Sequence, residues 1–146
     1  MPDAPPPPPA RPQHPQLAVS AAIFRDGNVL LVRRARSPGK GVYSLPGGRV
    51  EFGESLHTAL AREIEEETSL AIDIVGLAGW REVLPSVPGG GHYLIMSFAA
   101  HWRAGEPRLN EELDDFKWLA TGALGDLKLT DGLIEVLDAA ARLLAN

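Results

Sequence analysis

The chain has 146 residues, with 14 Lys+Arg against 19 Asp+Glu for a formal charge of −5, 15 Gly, 13 Pro and no Cys. The length suits one domain with a real core and leaves little room for two, and the missing cysteine excludes disulfides, thiolate zinc sites and a cysteine nucleophile. No apolar run approaches the ~18 residues that span a bilayer, the N-terminus lacks signal-peptide order, and a net acidic chain is poorly suited to grip a nucleic-acid polymer.

These exclusions lead to an expectation of a cytoplasmic protein without a membrane or nucleic-acid partner. Eight of the 13 prolines lie in residues 1–16, including the run from Pro5 to Pro9. That stretch has little to bury and reads as an extended tail. The folded domain is expected over 17–146.

Residues 17–24 read as a strand, Asp26-Gly27 as a tight hairpin turn, and 29–32 as the returning strand, ending in Arg33 and Arg34. A loop over 35–41 leads to a short extended piece at 42–45 and then to Pro46-Gly47-Gly48. Residues 55–68 contain no Gly or Pro and follow Ser55, a good N-cap, so a helix is expected there. Strands are expected over 71–83, 93–102 and 116–119, with a glycine-rich loop at 85–91 and a polar, acidic stretch at 103–115. Asp131 is placed to cap a last helix carrying Leu133, Ile134, Leu137, Ala140, Ala141 and Leu144 at helical spacing. Hairpins mixed with helices, without regular βαβ repeats, indicate an α+β fold with a helix on each side of a mixed sheet.

The helix over 55–68 breaks its own rules. With Leu56 at zero on a wheel of about 100° per residue, Leu60, Ile64 and Ala59 fall at about 40°, 80° and −60°. Glu63, Glu67 and Glu66 fall at about −20°, 20° and −80°, on the same side, while Glu65 lies opposite at about 180°. Glu63 and Glu67 are like charges at i, i+4, and the acids crowd the helix end where the dipole prefers cations. Only Arg62 offers local compensation. Carboxylates that continue a buried stripe are costly unless a cation joins them. A ligand set of oxygens alone suits Mg²⁺, Mn²⁺ or Ca²⁺ rather than zinc. The preceding Leu45-Pro46-Gly47-Gly48-Arg49 allows close backbone approach, and Arg34, Arg36, Lys40 and Arg49 could balance an anion. Metal and cations around a glycine turn point to phosphate chemistry, without the pattern of a P-loop.

The charge tally sharpens this. Residues 51–67 hold six acids and one base, a sum of −5, so the rest of the chain is neutral. The acidity is one local cluster.

Gly48, five residues, Glu54, seven residues, then Arg62-Glu63-Ile64-Glu65-Glu66-Glu67-Thr68-Ser69-Leu70 closely resembles the Nudix box. Ser69 stands where that family has Gly, and every other fixed position matches. Tyr43-Ser44-Leu45-Pro46-Gly47-Gly48 resembles the aromatic-x-Leu-Pro-Gly-Gly lead-in of the family, and Glu112 to Trp118 resembles its Glu-x5-Trp stretch. The resemblance implies a Nudix-type α/β/α sandwich, with a mixed sheet and a smaller antiparallel sheet. It implies Mg²⁺- or Mn²⁺-dependent hydrolysis of a nucleoside diphosphate linked to another moiety.

By the motif match, Glu63, Glu66, Glu67 and the Gly47 carbonyl would hold metal. Glu54 and Arg62 would brace the box. Glu63, Glu67 or, from the later loop, Glu112 (preferred over Glu111) would serve the attacking water. Arg34, Arg49, Tyr43 and Arg81 are the expected substrate contacts, with Tyr43 as the base stacker. ADP-ribose or a related nucleotide sugar is the leading substrate. A nucleoside triphosphate pyrophosphatase and a catalytically idle ligand sensor are the alternatives, and a homodimer is the corresponding assembly.

Overall fold

The structure is a computed structural model and describes residues 14–36 and 39–145. The proline-rich tail expected at 1–16 lies almost wholly outside the described residues. Nine elements follow: β1 Gln16–Arg25, β2 Asn28–Arg34, β3 Tyr43–Ser44, β4 Gly47–Arg49, α1 Leu56–Thr68, β5 Ala71–Val83, β6 Tyr93–Ala104, β7 Leu113–Leu119 and α2 Leu133–Leu144. Asp26 (φ 52°) and Gly27 (φ 83°) both turn through positive φ, so the β1–β2 hairpin closes where Asp-Gly was expected to close it.

β1 is the spine. It pairs in parallel with β6 over nine residues, and β6 pairs antiparallel with β5. On its other edge β1 takes β4 at Ala18 to Ser20, then β2 at Phe24 and Arg25. β2 turns away from there to lie between β3 and β7, both antiparallel to it. A mixed layer (β4, β1, β6, β5) is thus joined through the hairpin to a smaller antiparallel layer (β3, β2, β7).

Strand alternation fills both faces. Val19, Ala21 and Ile23 of β1, with Leu30 and Val32 of β2, pack against Ala59, Leu60 and Ile64 of α1. Ala22, Val29 and Leu31 point the opposite way and pack on Leu133, Leu137 and Ala140 of α2. The two helices therefore cover opposite faces, as the α/β/α expectation requires.

Beyond shifts of one or two residues at strand ends and the short strand β4, two boundaries depart from the sequence reading. Asp131 does not cap α2. Gly132 occupies the N-cap at φ 78° with no side-chain cap bond, and the first turn opens with Leu133 N–H on the Thr130 carbonyl at 3.3 Å. The left-handed turn needs a glycine, and this places the N-cap one residue beyond the aspartate and the first helical residue at Leu133. β7 begins at Leu113, not at 116. A register shift at Arg33/Arg34 lets β2 pair with Leu113 and Asp115, and Arg33 binds Asp114 at 2.6 Å. Acids of low strand propensity are held there by cross-strand charge.

Candidate active site

The site is built where β4 runs beside β1 and α1 packs over it. The Cβ of an alanine at 47 would stand 2.0 Å from the Val19 carbonyl oxygen and 2.6 Å from Ser20 Cα. At 48 it would stand 2.3 Å from Cδ of Glu63. Gly47 is thus demanded by neighbouring backbone and Gly48 by a carboxylate. Gly47→Ala is expected to abolish soluble, cooperatively unfolding protein. Gly48→Ala should keep the fold, because a flexible glutamate tip can move, yet lose activity as Glu63 is displaced. Circular dichroism melts and turnover measured side by side check both.

Ser55 caps α1, its hydroxyl oxygen accepting from Thr58 N–H at 3.1 Å. The helix then presents its acids as the wheel arranged them, with one refinement. Glu67 is buried at 7% exposure, Glu63 is mostly covered, and Glu66 stands largely in solvent. Glu67 Oε1 accepts from Gly47 N–H at 2.7 Å. Burial pushes the Glu67 carboxyl up to about 7. The Gly47 bond opposes the shift, the charges of Glu63 and Glu112 add to it, and Arg34 opposes it. These causes place Glu112 of the later loop and Arg34 of β2 in the neighbourhood of the buried acid.

Arg62 is the hub of the outer cluster. Its Nε and one terminal nitrogen donate to both oxygens of Glu54, each at 2.7 Å. It also donates to Glu63 at 2.8 Å, Glu66 at 3.3 Å and the Arg49 carbonyl at 3.1 Å. The paired guanidinium, with a bond from Glu51 N–H, holds the Glu54 carboxyl down to about 2. The Arg49 guanidinium lies on Gln16 at 3.1 Å, and Glu111 reaches Arg36 at 3.5 Å.

Ser69 adopts the left-handed conformation that its glycine counterpart would take, at φ 65° and ψ 14°, with its N–H on the Glu65 carbonyl at 2.9 Å. A non-glycine residue there costs about 1 kcal/mol. Ser69→Gly is expected to raise stability by about 0.5–1 kcal/mol, the entropy of the freer unfolded chain limiting the gain. Urea denaturation measures it.

Two expected substrate contacts are not where the sequence reading put them. Tyr43 is buried at 5% exposure among the α2-side residues. Its hydroxyl donates to Asp115, and burial together with that bond pushes its phenol up. A ring sealed in the core is not available to stack on a base. Arg81 lines a cleft with Trp80, Gly132 and Glu135, on the α2 side of the sheet and away from the α1 acids. Sequence reasoning named Glu112 of the later loop but missed the residues before it, Arg108 and Asn110, whose backbone N–H groups bond to the end of α1. An Asn two residues before Glu112, a turn-forming spacing, was the available signal.

The donor set fits a hard divalent cation, because it is made of carboxylates and backbone oxygen, and Glu67 is desolvated and repelled by two further acids. Among the described residues no three acidic or histidine side chains stand already gathered as a metal-holding group, since Arg62 draws Glu63 and Glu66 to itself.

A family model described as the NUDIX domain matches residues 14–140. The chain belongs to the Nudix family. An ADP-ribose pyrophosphatase of Methanocaldococcus jannaschii is 36% identical over 99 residues, covering 68% of this chain and 58% of that protein. A putative 8-oxo-dGTP diphosphatase 2 of Mycobacterium tuberculosis H37Rv is 34% identical over 128 residues, covering 79% of this chain and 89% of that protein. The crystal structure of a MutT NUDIX hydrolase from Burkholderia pseudomallei superposes with a TM-score of 0.78 at 33% identity, covering 87% of this chain and 98% of that one. The relatives are named as a pyrophosphatase, a putative diphosphatase and a hydrolase. No helix among the described residues of this chain is long and apolar enough to cross a membrane.

Proposed function

We propose that the protein hydrolyses a nucleoside diphosphate linked to another moiety, with ADP-ribose as the leading substrate. The observation that carries the reading is the buried Glu67 carboxylate, tied to Gly47 N–H at 2.7 Å, with Glu63 against Gly48 on the same helix face. Glu63, Glu66, Glu67 and the Gly47 carbonyl would hold Mg²⁺ or Mn²⁺. When bound, that ion supplies charge to the phosphate oxygens and a lower pKa to bound water.

The chain's own residues do the rest. The Gly47 N–H and the packing of α1 fix Glu67. Arg62 and Glu54 hold β4 against the helix. Glu112, near Glu67, takes the proton of the attacking water, the role shared in the sequence reading with Glu63 and Glu67. Arg34, which opposes the shift of Glu67, meets the negative charge of the departing phosphate, with Arg49 as the second cation.

A second reading, hydrolysis of a modified nucleoside triphosphate, is favoured by one observation. The likeness to the mycobacterial diphosphatase covers 89% of that relative, against 58% of the pyrophosphatase. A phosphate-release panel with Mg²⁺ and Mn²⁺ decides between them. It holds ADP-ribose, sugar nucleotides, NADH, dinucleoside polyphosphates, and ordinary and oxidised nucleoside triphosphates. The highest kcat/KM on ADP-ribose supports the first reading and on an oxidised triphosphate the second. Turnover of none contradicts both.

A further inference from the structure

The segment between β6 and β7 has no regular structure, yet its backbone is bonded at several points around Asn110. Arg108 N–H donates to the Thr68 carbonyl at 2.9 Å and Asn110 N–H to the Glu67 carbonyl at 3.2 Å. These supply donors to carbonyls in the last turn of α1, which lack partners inside the helix. Asn110 then turns the chain. Its side-chain Oδ1 accepts from Glu112 N–H at 3.1 Å, and its own carbonyl accepts from Leu113 N–H at 3.3 Å. This is an Asx-type turn. The Glu112 carbonyl in turn accepts from Ala35 N–H at 2.9 Å, directly after Arg34. Glu112 is therefore held at its N–H by Asn110 and at its carbonyl by the end of β2.

We infer that Asn110 is a positioning residue for the hydrolysis, one that couples the Glu67 backbone to the Glu112 backbone and so fixes how the two carboxylate-bearing residues face each other. The inference rests on the reading of Glu112 as the proton acceptor. The side chain is suited to the task because one neutral acceptor is needed. Alanine has none. Serine offers a shorter one. Aspartate would keep the acceptor but add a negative charge beside acids that already repel. A residue that merely closed a turn would affect stability alone, and its loss would not depend on Glu112.

The test is a double-mutant cycle on the full chain with Mg²⁺, using the substrate that the panel ranks first. Asn110→Ala is expected to lower kcat by about tenfold, with KM within about twofold, and Asn110→Ser to restore part of the loss. In a Glu112→Gln background, itself slow, adding Asn110→Ala should change kcat by less than about twofold, because the residue it positions is already gone. Independent, multiplying losses would overturn the inference and leave Glu112 in its role. An unchanged kcat for Glu112→Gln would overturn both. If the alanine variant does not fold, Asn110→Gln, which carries the acceptor one methylene too far, enters the same cycle with the same expectations.

Discussion

Glu67→Gln is expected to yield a protein that is slower by about three orders of magnitude in kcat and, without metal, more stable than the wild type at pH 8. Both effects come from one buried group. The glutamine keeps the carbonyl oxygen that accepts from Gly47 N–H, so the local geometry is retained. It discards the negative charge that the fold holds at a cost. The folded carboxyl is raised to about 7 from an ordinary 4.5, so the folded state binds the proton more tightly than the unfolded one. Its favourable contribution is complete below about pH 4.5 and is lost as pH rises through 7, a loss of about 3 kcal/mol by pH 8. Metal-free denaturation should show the wild type and the variant converging near pH 4.5 and separating toward pH 8. Millimolar Mg²⁺ should then narrow the gap by stabilising the wild type selectively, through mass action on the folded state. Equal stability of the two proteins at pH 8 would contradict the strained carboxylate, and wild-type turnover in the variant would contradict its role.

The second large effect concerns Arg62. Its guanidinium is bonded to Glu54, Glu63, Glu66 and the Arg49 carbonyl at 2.7–3.3 Å. Arg62→Ala leaves those carboxylates facing one another with no cation between them, and of the bonds from α1 to β4 it removes the one to the Arg49 carbonyl while the Glu67 bond to Gly47 N–H stays. Solvent reaches much of the cluster, so the expected loss is about 1–2 kcal/mol rather than that of a fully buried pair. The activity falls further, by about 10–100-fold, because Glu54 and Glu63 no longer have a fixed partner. Arg62→Lys should not restore either property, since an ammonium cannot grip both oxygens of Glu54 while reaching Glu63. Melting temperature and kcat measured on both variants check the expectation. A lysine variant with wild-type values of both would contradict the bidentate account.

The helix and its acids were legible in the sequence because a single periodicity carried them. The wheel that set Glu63 and Glu67 beside Leu60 and Ile64 also set Glu65 in solvent, and the folded helix keeps that order. Glu66, at the edge of the stripe, was less legible. It stands in solvent because Arg62 one turn earlier draws it outward. The hairpin at Asp26-Gly27 was legible from turn chemistry. Long-range pairings were not. Tyr43 beside a glycine turn has the local signature of a ligand-facing aromatic, and only the docking of α2 and the bond to Asp115 make it core. The start of β7 depends on a register shift opposite Arg33, which no local pattern announces. The 103–115 segment reads from its sequence only as polar and acidic, and its bonds to the end of α1 emerge only once both are in place.

The central claim is that Glu67 and its neighbours hold a divalent cation on the face of α1. Titration of Mn²⁺ into the full chain, followed by the loss of the free-ion electron paramagnetic resonance signal, tests it without reference to any substrate. Saturable binding by the wild type and at least about tenfold weaker binding by Glu67→Gln are expected. Equal Mn²⁺ affinity in the two proteins would contradict it.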